Sequence, residues 1–208
     1  MDNILLSIGH SQHNVDYFLE LLRSHNVNYI LDVRSTPYSQ FAASYNRENI
    51  KDTLKRNGVD YAYMGDYFGA RPRDYSLYSQ NGYLDFEKVA NSEKFKIGFD
   101  NVEKGVKQGN RIAFMCTEKD PIECHRAILV TNEFYKAGYL IEHIMPDNTV
   151  QTQKTLNERL LDMYYPNRNQ ISLFSSENLS EEQYIKEAYK KQNIKIGYYI
   201  EELNKRIG

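Results

Sequence analysis

Short apolar runs alternate along the chain with longer segments in which apolar residues recur every three or four positions. The short runs predict β-strands, and the longer segments predict helices. The predicted strands cover residues 4–8, 29–33, 61–64, 111–115 and 141–145, and the predicted helices cover residues 15–25, 46–57, 85–108 and 121–136. Strands that alternate with helices predict an α/β fold in which a mostly parallel sheet carries helices on both faces.

Two further helices are predicted beyond the last strand. One covers residues 155–164, and the other starts at Ser180 and continues in pieces to Ile207. A chain of 208 residues is long enough to bury one core and carry an appendage. We therefore divide the sequence into an α/β domain, residues 1–150, and a helical C-terminal extension, residues 151–208.

Polar side chains follow three of the predicted strands. His10 and Ser11 follow the first strand, Arg34 and Ser35 follow the second, and residues 116–118 follow the central one. The carboxyl ends of parallel strands share one edge of a sheet, and ligands of open α/β sheets bind there. We therefore expect these side chains to converge.

The segment after the central strand has the pattern of a helix start. Asp120 is a good N-cap residue, Pro121 suits the first helical turn, and Glu123 completes a capping box. A helix N-terminus attracts anions through its free backbone N–H groups. The sequence therefore predicts an anion-binding helix end at Pro121.

Arg34 and Arg126 are candidates for binding a phosphate or carboxylate beside this helix end, because a guanidinium offers a planar fork of donors. The alternative is that Arg34 pairs with a structural carboxylate such as Asp32 and that Arg126 lies on the surface.

Glu118 is the best candidate for a general acid or base, since a partly buried carboxylate near His10 can be tuned toward neutral pH. The alternative for Glu118 is a carboxylate that is only stabilised by the helix dipole.

The two cysteines, Cys116 and Cys124, leave three interpretations open. Phosphatase and sulfurtransferase loops are excluded, because no arginine stands six residues after either cysteine. The first interpretation is a zinc site of both cysteines with His125 and His10, which the lack of a close cysteine pair disfavours. The sequence therefore predicts no metal and no cofactor. Cys116 as a nucleophile near a helix N-terminus is the second interpretation, and packing of the thiols in the core is the third.

Composition excludes some classes of partner. Charged residues make up 26% of the chain, but the net charge is only -2, so no overall field draws the protein onto nucleic acid or membrane. No signal pattern opens the sequence, and no apolar run is long enough to span a bilayer. Two cysteines in such a chain favour a reducing, cytoplasmic setting. The 18 tyrosines could stack on bases or fill half-buried surfaces.

Five motifs together resemble domain-of-unknown-function family 488 (DUF488). They are IGHS at residues 8–11, DVRSTPYS at 32–39, FGAR at 68–71, MCTE at 115–118 and CHR at 124–126. They follow the order and spacing of the family over about residues 4–165. The resemblance implies a Rossmann-like α/β domain with a site built from these motifs, but no established reaction. Gln40 and Ala70 depart from an arginine and a glycine that are frequent in the family, so its substrate cannot be assumed to transfer.

Residues 170–174, QISLF, resemble the short peptide with which bacterial replication and repair proteins bind the sliding clamp. Leu173 and Phe174 would be the apolar anchors, and Gln170 would hydrogen-bond at the other end. The alternative is an edge strand that packs on the C-terminal helix. The clamp interpretation would place the protein on DNA.

These observations favour an enzyme that acts on a nucleotide or nucleic acid, with roles in DNA repair or modification and with hydrolase- or lyase-type acid/base chemistry. Two alternatives are a non-catalytic module that binds a nucleotide or DNA end while tethered to the clamp, and a cysteine-dependent enzyme. The candidate catalytic residues are Glu118, His10 and Cys116; the candidate phosphate- or substrate-binding residues are Arg34, Ser11, Ser35, Tyr38, Arg71, Arg73, His125 and Arg126.

Overall fold

A six-stranded sheet forms the centre of the protein in the computed structural model, which describes residues 3–11, 13–168 and 179–204. The strands are β1 Ile4–Gly9, β2 Tyr29–Asp32, β3 Asp60–Tyr63, β4 Ile112–Cys116, β5 Leu140–Ile144 and β6 Val150–Thr152. Their order across the sheet is β3-β2-β4-β1-β5-β6. All neighbouring strands are parallel except β6, which runs antiparallel to β5. The predicted α/β fold with a mostly parallel, Rossmann-like sheet is confirmed.

Helices cover both faces of the sheet. They are α1 Val15–Ser24, α2 Arg47–Arg56, α3 Gly65–Phe68, α4 Phe86–Asn91, α5 Glu93–Lys107, α6 Asn132–Lys136, α7 Gln153–Tyr164, α8 Glu181–Ile196 and α9 Glu201–Asn204. A π-helix, Arg126–Thr131, leads directly into α6. Within the described ranges, no helix is both long and apolar enough to cross a membrane.

Alternation along the strands separates two hydrophobic cores. In β1, Leu6 and Ile8 face a core that they share with α1 and α2, whereas Leu5 faces a larger core on the other side. That larger core receives Phe68 from α3, Phe95 from α5 and residues of the π-helix. Because side chains alternate along a strand, a register shift of one residue would exchange the two cores, so burial fixes the register.

The chain leaves the two central strands toward opposite faces of the sheet. After β1 it continues into α1 on one face, and after β4 it continues into the π-helix and α6 on the other. In open α/β sheets, ligands bind at such a switch point, beyond the carboxyl ends of the two strands. The end of β1 and the loop after β4 meet there, since the amide of His10 donates to Cys116 O at 2.9 Å and that of Ser11 to Thr117 O at 2.8 Å.

The predicted elements differ from the structure in several places, of which α3 is one because it was not predicted. The segment predicted as one helix over residues 85–108 is two helices, because Ser92 caps the start of α5 with its side chain. Strand β6 was not predicted, since its three residues are too short for a clear apolar pattern. The predicted helix N-terminus at Pro121 is wrong: Pro121–Glu123 is a single 3₁₀ turn, after which Cys124 is extended. Glu123 forms an ion pair with Lys195 at 2.8 Å.

Helices α7 and α8 pack into the larger core through Leu156, Leu160 and Ala188. The predicted cap at Ser180 is present as a full capping box with Gln183. In α8, Gln192 donates a hydrogen bond to the carbonyl of Ile122 at 2.7 Å. The C-terminal helices therefore share one core with the sheet and hold the turn that precedes Cys124.

A chain of buried hydrogen bonds crosses the protein beneath the π-helix. Gln153 Oε1 accepts from His143 Nε2 at 3.0 Å and from Thr131 at 3.1 Å, while Gln153 Nε2 donates to the hydroxyl of Tyr189 at 2.8 Å. The other nitrogen of His143, Nδ1, is therefore free to accept from Ser7 at 2.7 Å. Burial lowers the pKa of His143 to about 3, so this network is built around a neutral imidazole.

Candidate functional site

Two thiols and a carboxylate meet at the carboxyl end of β4. The thiol of Cys116, the last residue of the strand, donates to Glu118 Oε2 at 3.0 Å. The thiol of Cys124 donates to the same oxygen at 2.9 Å. Together with the Nδ1 atom of His125, these atoms lie within 4.8 Å of one another. We call Cys116, Glu118, Cys124 and His125 the thiol–carboxylate cluster.

The backbone fixes the orientation of His125. Its Nε2 atom is 3.0 Å from the carbonyl oxygen of Val33, directly after β2, and a carbonyl can only accept. Nε2 therefore carries the hydrogen. Nδ1 consequently faces the sulfurs of Cys116 at 3.8 Å and Cys124 at 4.0 Å.

The thiol–carboxylate cluster is buried on one side and open on the other. Cys116, Cys124 and His125 are 3%, 1% and 9% exposed, whereas Glu118 is an exposed residue of the loop after β4. Among the four residues, Glu118 is therefore the one that is mainly in contact with solvent.

The groups of this cluster shift one another's protonation. Burial, followed by the nearby Cys124, raises the pKa of the Cys116 thiol well above its usual value. Burial acts in the same direction on Cys124, but the hydrogen bond from Cys116 and the charge of Arg126 outweigh it and lower the pKa of the Cys124 thiol. Desolvation and Cys124 also raise the pKa of Glu118. Burial lowers the pKa of His125, yet its contact with Cys124 reverses the shift and raises it.

Cys124, rather than Cys116, lies at a helix N-terminus. Its carbonyl accepts from the amides of Ala127 and Ile128, both at 3.0 Å, and its sulfur is 3.4 Å from the amide of Arg126. These contacts correct the expectation that a helix end lowers the pKa of Cys116. The thiol favoured as an anion is Cys124, because the helix end and a guanidinium both face it.

Arg126 is fully buried, so the alternative that it lies on the surface is wrong. Its NH1 donates to Glu118 O at 2.7 Å and its NH2 to Lys119 O at 3.4 Å, whereas Nε has no partner. Within the described part of the chain, no carboxylate forms an ion pair with it. Its charge therefore lies beneath the loop of Glu118, where it acts to lower the pKa of the Cys116 and Cys124 thiols.

Arg34 is held by Asp32 through a two-point ion pair, with Nε and NH2 donating at 2.8 and 2.6 Å. Its NH1 lies 3.2 Å from Nε2 of His10, and His10 Nδ1 lies 2.7 Å from Ser11 O. Burial and the charge of Arg34 lower the pKa of His10 to about 4, so the imidazole is neutral at pH 7. The alternative for Arg34, pairing with Asp32, is the one observed. A phosphate-binding role for Arg34 stays a prediction with few free donors.

The structure therefore brings together His10, Arg34, Cys116 and Glu118, as expected from the strand ends. His125 and Arg126, at the start of the π-helix, join them. Cys124 belongs to the same centre, although it was not among the candidate catalytic or binding residues predicted from the sequence. The signal that could have identified Cys124 is its position next to His125 at the start of a helix. The zinc interpretation selected three of the four cluster members but replaced Glu118 with His10.

The remaining candidates lie on surrounding loops. Ser35 accepts from the amide of Arg71 at 2.9 Å, which ties the loop after β2 to the loop after α3. The guanidinium of Arg71 lies 4.7 Å above the ring of Tyr198, and Arg73 is exposed. Tyr38 is 54% exposed, and its hydroxyl donates to Glu48. The clamp-peptide candidates Gln170, Leu173 and Phe174 lie outside the described residues.

Fold and site together define a Rossmann-like α/β protein with a thiol–carboxylate cluster at the switch point of its sheet. A family model described as "Domain of unknown function DUF488" matches residues 14–132. The chain therefore belongs to the DUF488 family, as its motifs indicated.

The match covers both cysteines, Glu118 and His125 but begins after the IGHS motif of β1. No curated protein and no solved structure matches the chain significantly.

Proposed function

We propose that the protein is a cytoplasmic enzyme that hydrolyses a bond in a nucleotide or nucleic acid, with Glu118 as the group that moves protons. The observation that carries this proposal is the position of Glu118. It lies in the loop after β4, at the switch point between β1 and β4, and it is the one exposed member of the thiol–carboxylate cluster. Ligands of open α/β sheets bind at such switch points.

The proposed reaction needs one proton carrier and one water molecule. Glu118 takes a proton from the water, whose oxygen forms the new bond to the substrate. As the old bond breaks, Glu118 returns the proton to the leaving group. Water is added across one bond, and no group is oxidised or reduced.

Loops at the same edge of the sheet support a nucleotide or nucleic-acid substrate. Tyr38 and Phe41, on the loop after β2, are 54% and 95% exposed. Arg71 and Arg73, in the segment between α3 and α4, are also exposed. Exposed rings can stack on bases, and guanidinium groups bind phosphates. The weak overall charge means that such binding would depend on these local groups.

Replacement of Glu118 by glutamine is expected to abolish turnover and to leave substrate affinity nearly unchanged. The amide keeps the shape of the side chain but cannot accept and return a proton, which costs about 10²- to 10⁴-fold in rate. The measurement is product formation by mass spectrometry after prolonged incubation with nucleoside phosphates and damaged DNA oligomers.

The matched control is Glu123→Gln in the neighbouring turn, which should retain the wild-type rate. Full activity of Glu118→Gln would exclude Glu118 as the proton carrier. Binding of these probes without any product would instead favour the non-catalytic module considered from the sequence.

The sliding clamp is a proposed partner on the evidence of residues 170–174 alone. If Leu173 and Phe174 are the apolar anchors, the double substitution to alanine should weaken binding of the full-length protein to a bacterial sliding clamp at least about tenfold. Biolayer interferometry measures this difference. Equal affinity of the variant and the wild type, or no binding by either, would contradict the proposed partner.

A further inference from the structure

The thiol–carboxylate cluster has the composition of a transition-metal site. From its geometry we infer that Cys116, Cys124 and His125 bind one zinc-type divalent cation, with Glu118 beside an open fourth position that faces solvent. Thiolate and imidazole are the ligands that Zn²⁺ prefers, and a catalytic zinc keeps one position for water. The binding site does not depend on the proposed function, but its use in hydrolysis does.

Distances separate the three ligands from the carboxylate. Two ligands of one tetrahedral zinc stand about 3.5 Å apart, as follows from bond lengths of about 2.3 Å to sulfur and 2.0 Å to nitrogen. The sulfurs of Cys116 and Cys124 are 3.8 and 4.0 Å from His125 Nδ1, close to this value. Glu118 Oε2 is 3.0 and 2.9 Å from the same sulfurs, which is too close for a fourth ligand and typical of a hydrogen-bond partner.

His125 is already oriented as a metal ligand would be. Its Nε2–H donates to the carbonyl of Val33, which directs Nδ1 toward both sulfurs. Histidine ligands commonly donate their second N–H to a backbone carbonyl in this way, because the contact fixes both the tautomer and the ring orientation. No side chain has to rotate for His125 to become a ligand.

The buried charge of Arg126 fits the same assignment. Its guanidinium donates to backbone carbonyls, and its Nε has no partner although the residue is fully buried. A buried charge without a counter-ion is costly. Two thiolates and one divalent cation sum to zero, so the carboxylate of Glu118 then balances Arg126. Metal binding releases the two thiol protons to solvent and leaves a neutral centre.

A bound cation would also supply what the proposed hydrolysis needs. A zinc-type ion lowers the pKa of its water toward neutral, and Glu118 stands where it can take the released proton. Zinc-dependent nucleobase deaminases use two cysteines, a third ligand and a separate glutamate in these roles. The resemblance to them is one of chemistry and does not extend to the fold.

The test uses the full chain, treated with a chelator, reduced and desalted. One equivalent of Zn²⁺ should bind stoichiometrically, and Co²⁺ should give thiolate charge-transfer bands together with intense tetrahedral bands in the visible spectrum. The spectrum is recorded on the unaltered protein, so it does not depend on whether a cysteine variant folds.

Variants then assign the ligands. Cys116→Ser, Cys124→Ser and His125→Ala should each weaken Zn²⁺ binding at least about hundredfold, since loss of an outer-shell partner alone costs up to that much. Glu118→Gln should weaken it clearly less than any of these three changes, because the carboxylate is not a ligand. Glu123→Gln and His25→Ala, which alter the same residue types outside the cluster, should bind as the wild type does.

Substoichiometric zinc binding or a cobalt spectrum without thiolate bands would overturn the site. Equal losses of zinc affinity in Glu118→Gln and Cys124→Ser would show that Glu118 is a ligand and that the fourth position is not open. These failures differ from failure of the proposed function, in which the protein would bind Zn²⁺ and form no product. Turnover that persists in the presence of chelator would show that the reaction does not need the metal. The proposed role of Glu118 would be unaffected.

Discussion

Replacing Arg126 with alanine is expected to lower the free energy of unfolding by about 2–4 kcal/mol, because the cavity and the lost donors outweigh the relief of a buried charge. Arg126 is the largest fully buried side chain among the described residues, and its removal leaves a cavity beneath the loop after β4. The same change also removes the donors to the carbonyls of Glu118 and Lys119. Denaturant titration followed by circular dichroism, in the presence of a chelator, measures the loss without a contribution from metal binding.

Arg159→Ala provides the matched control. Arg159 donates to Asp120 at 2.6 Å, but its side chain is 36% exposed, so its loss should cost only about 1 kcal/mol. Arg126→Lys should fall between the two, because lysine keeps the charge and fills part of the space but cannot bridge both carbonyls. Equal stability of Arg126→Ala and Arg159→Ala would contradict a packing role for Arg126.

Gly9→Ala is expected to be the most damaging single-methyl change at the site. A Cβ atom at this position would overlap the carbonyl oxygen of Glu118 and lie 2.9 Å from its carbonyl carbon. Because the obstacle is backbone, relief requires movement of the loop that carries Glu118, at a cost of about 3 kcal/mol or more. Thermal unfolding measures the stability, and cobalt spectroscopy should report a disturbed cluster.

The comparison for Gly9→Ala is Gly105→Ala in α5. There the added methyl group meets the flexible Cδ1 of Ile112 at 3.1 Å, and alanine favours the helix by about 1 kcal/mol. Its stability should stay within about 1 kcal/mol of the wild type. If Gly9→Ala behaved in the same way, the contact between β1 and the Glu118 loop would be unimportant.

Much of the fold could be predicted because it depends on local patterns. The five parallel strands are short apolar runs, and the cap at Ser180 is explicit in the sequence. Convergence of His10, Arg34 and Glu118 at one edge also followed, since parallel strands end at the same side of a sheet.

The chemistry of the site could not be predicted in the same way, because it depends on tertiary packing. Pro121 and Glu123 suit a helix start, yet Gln192 of α8 holds the turn and Cys124 becomes extended. That change turns the sulfur of Cys124 toward Glu118 rather than only into the core. A local sequence pattern cannot predict the contact between Gln192 and Ile122, which are 70 positions apart in the chain.

The DUF488 match begins after β1, although β1 lies in the middle of the sheet. Residues 14–132 contain β2, β3 and β4 but neither β1 nor β5. Since β1 lies between β4 and β5, a fragment cut at those limits would expose one side of β4 along its whole length. It would also lack Gly9, whose missing side chain makes room for the loop of Glu118. The matched segment therefore lacks both the strand that completes the middle of the sheet and the residue that accommodates the Glu118 loop.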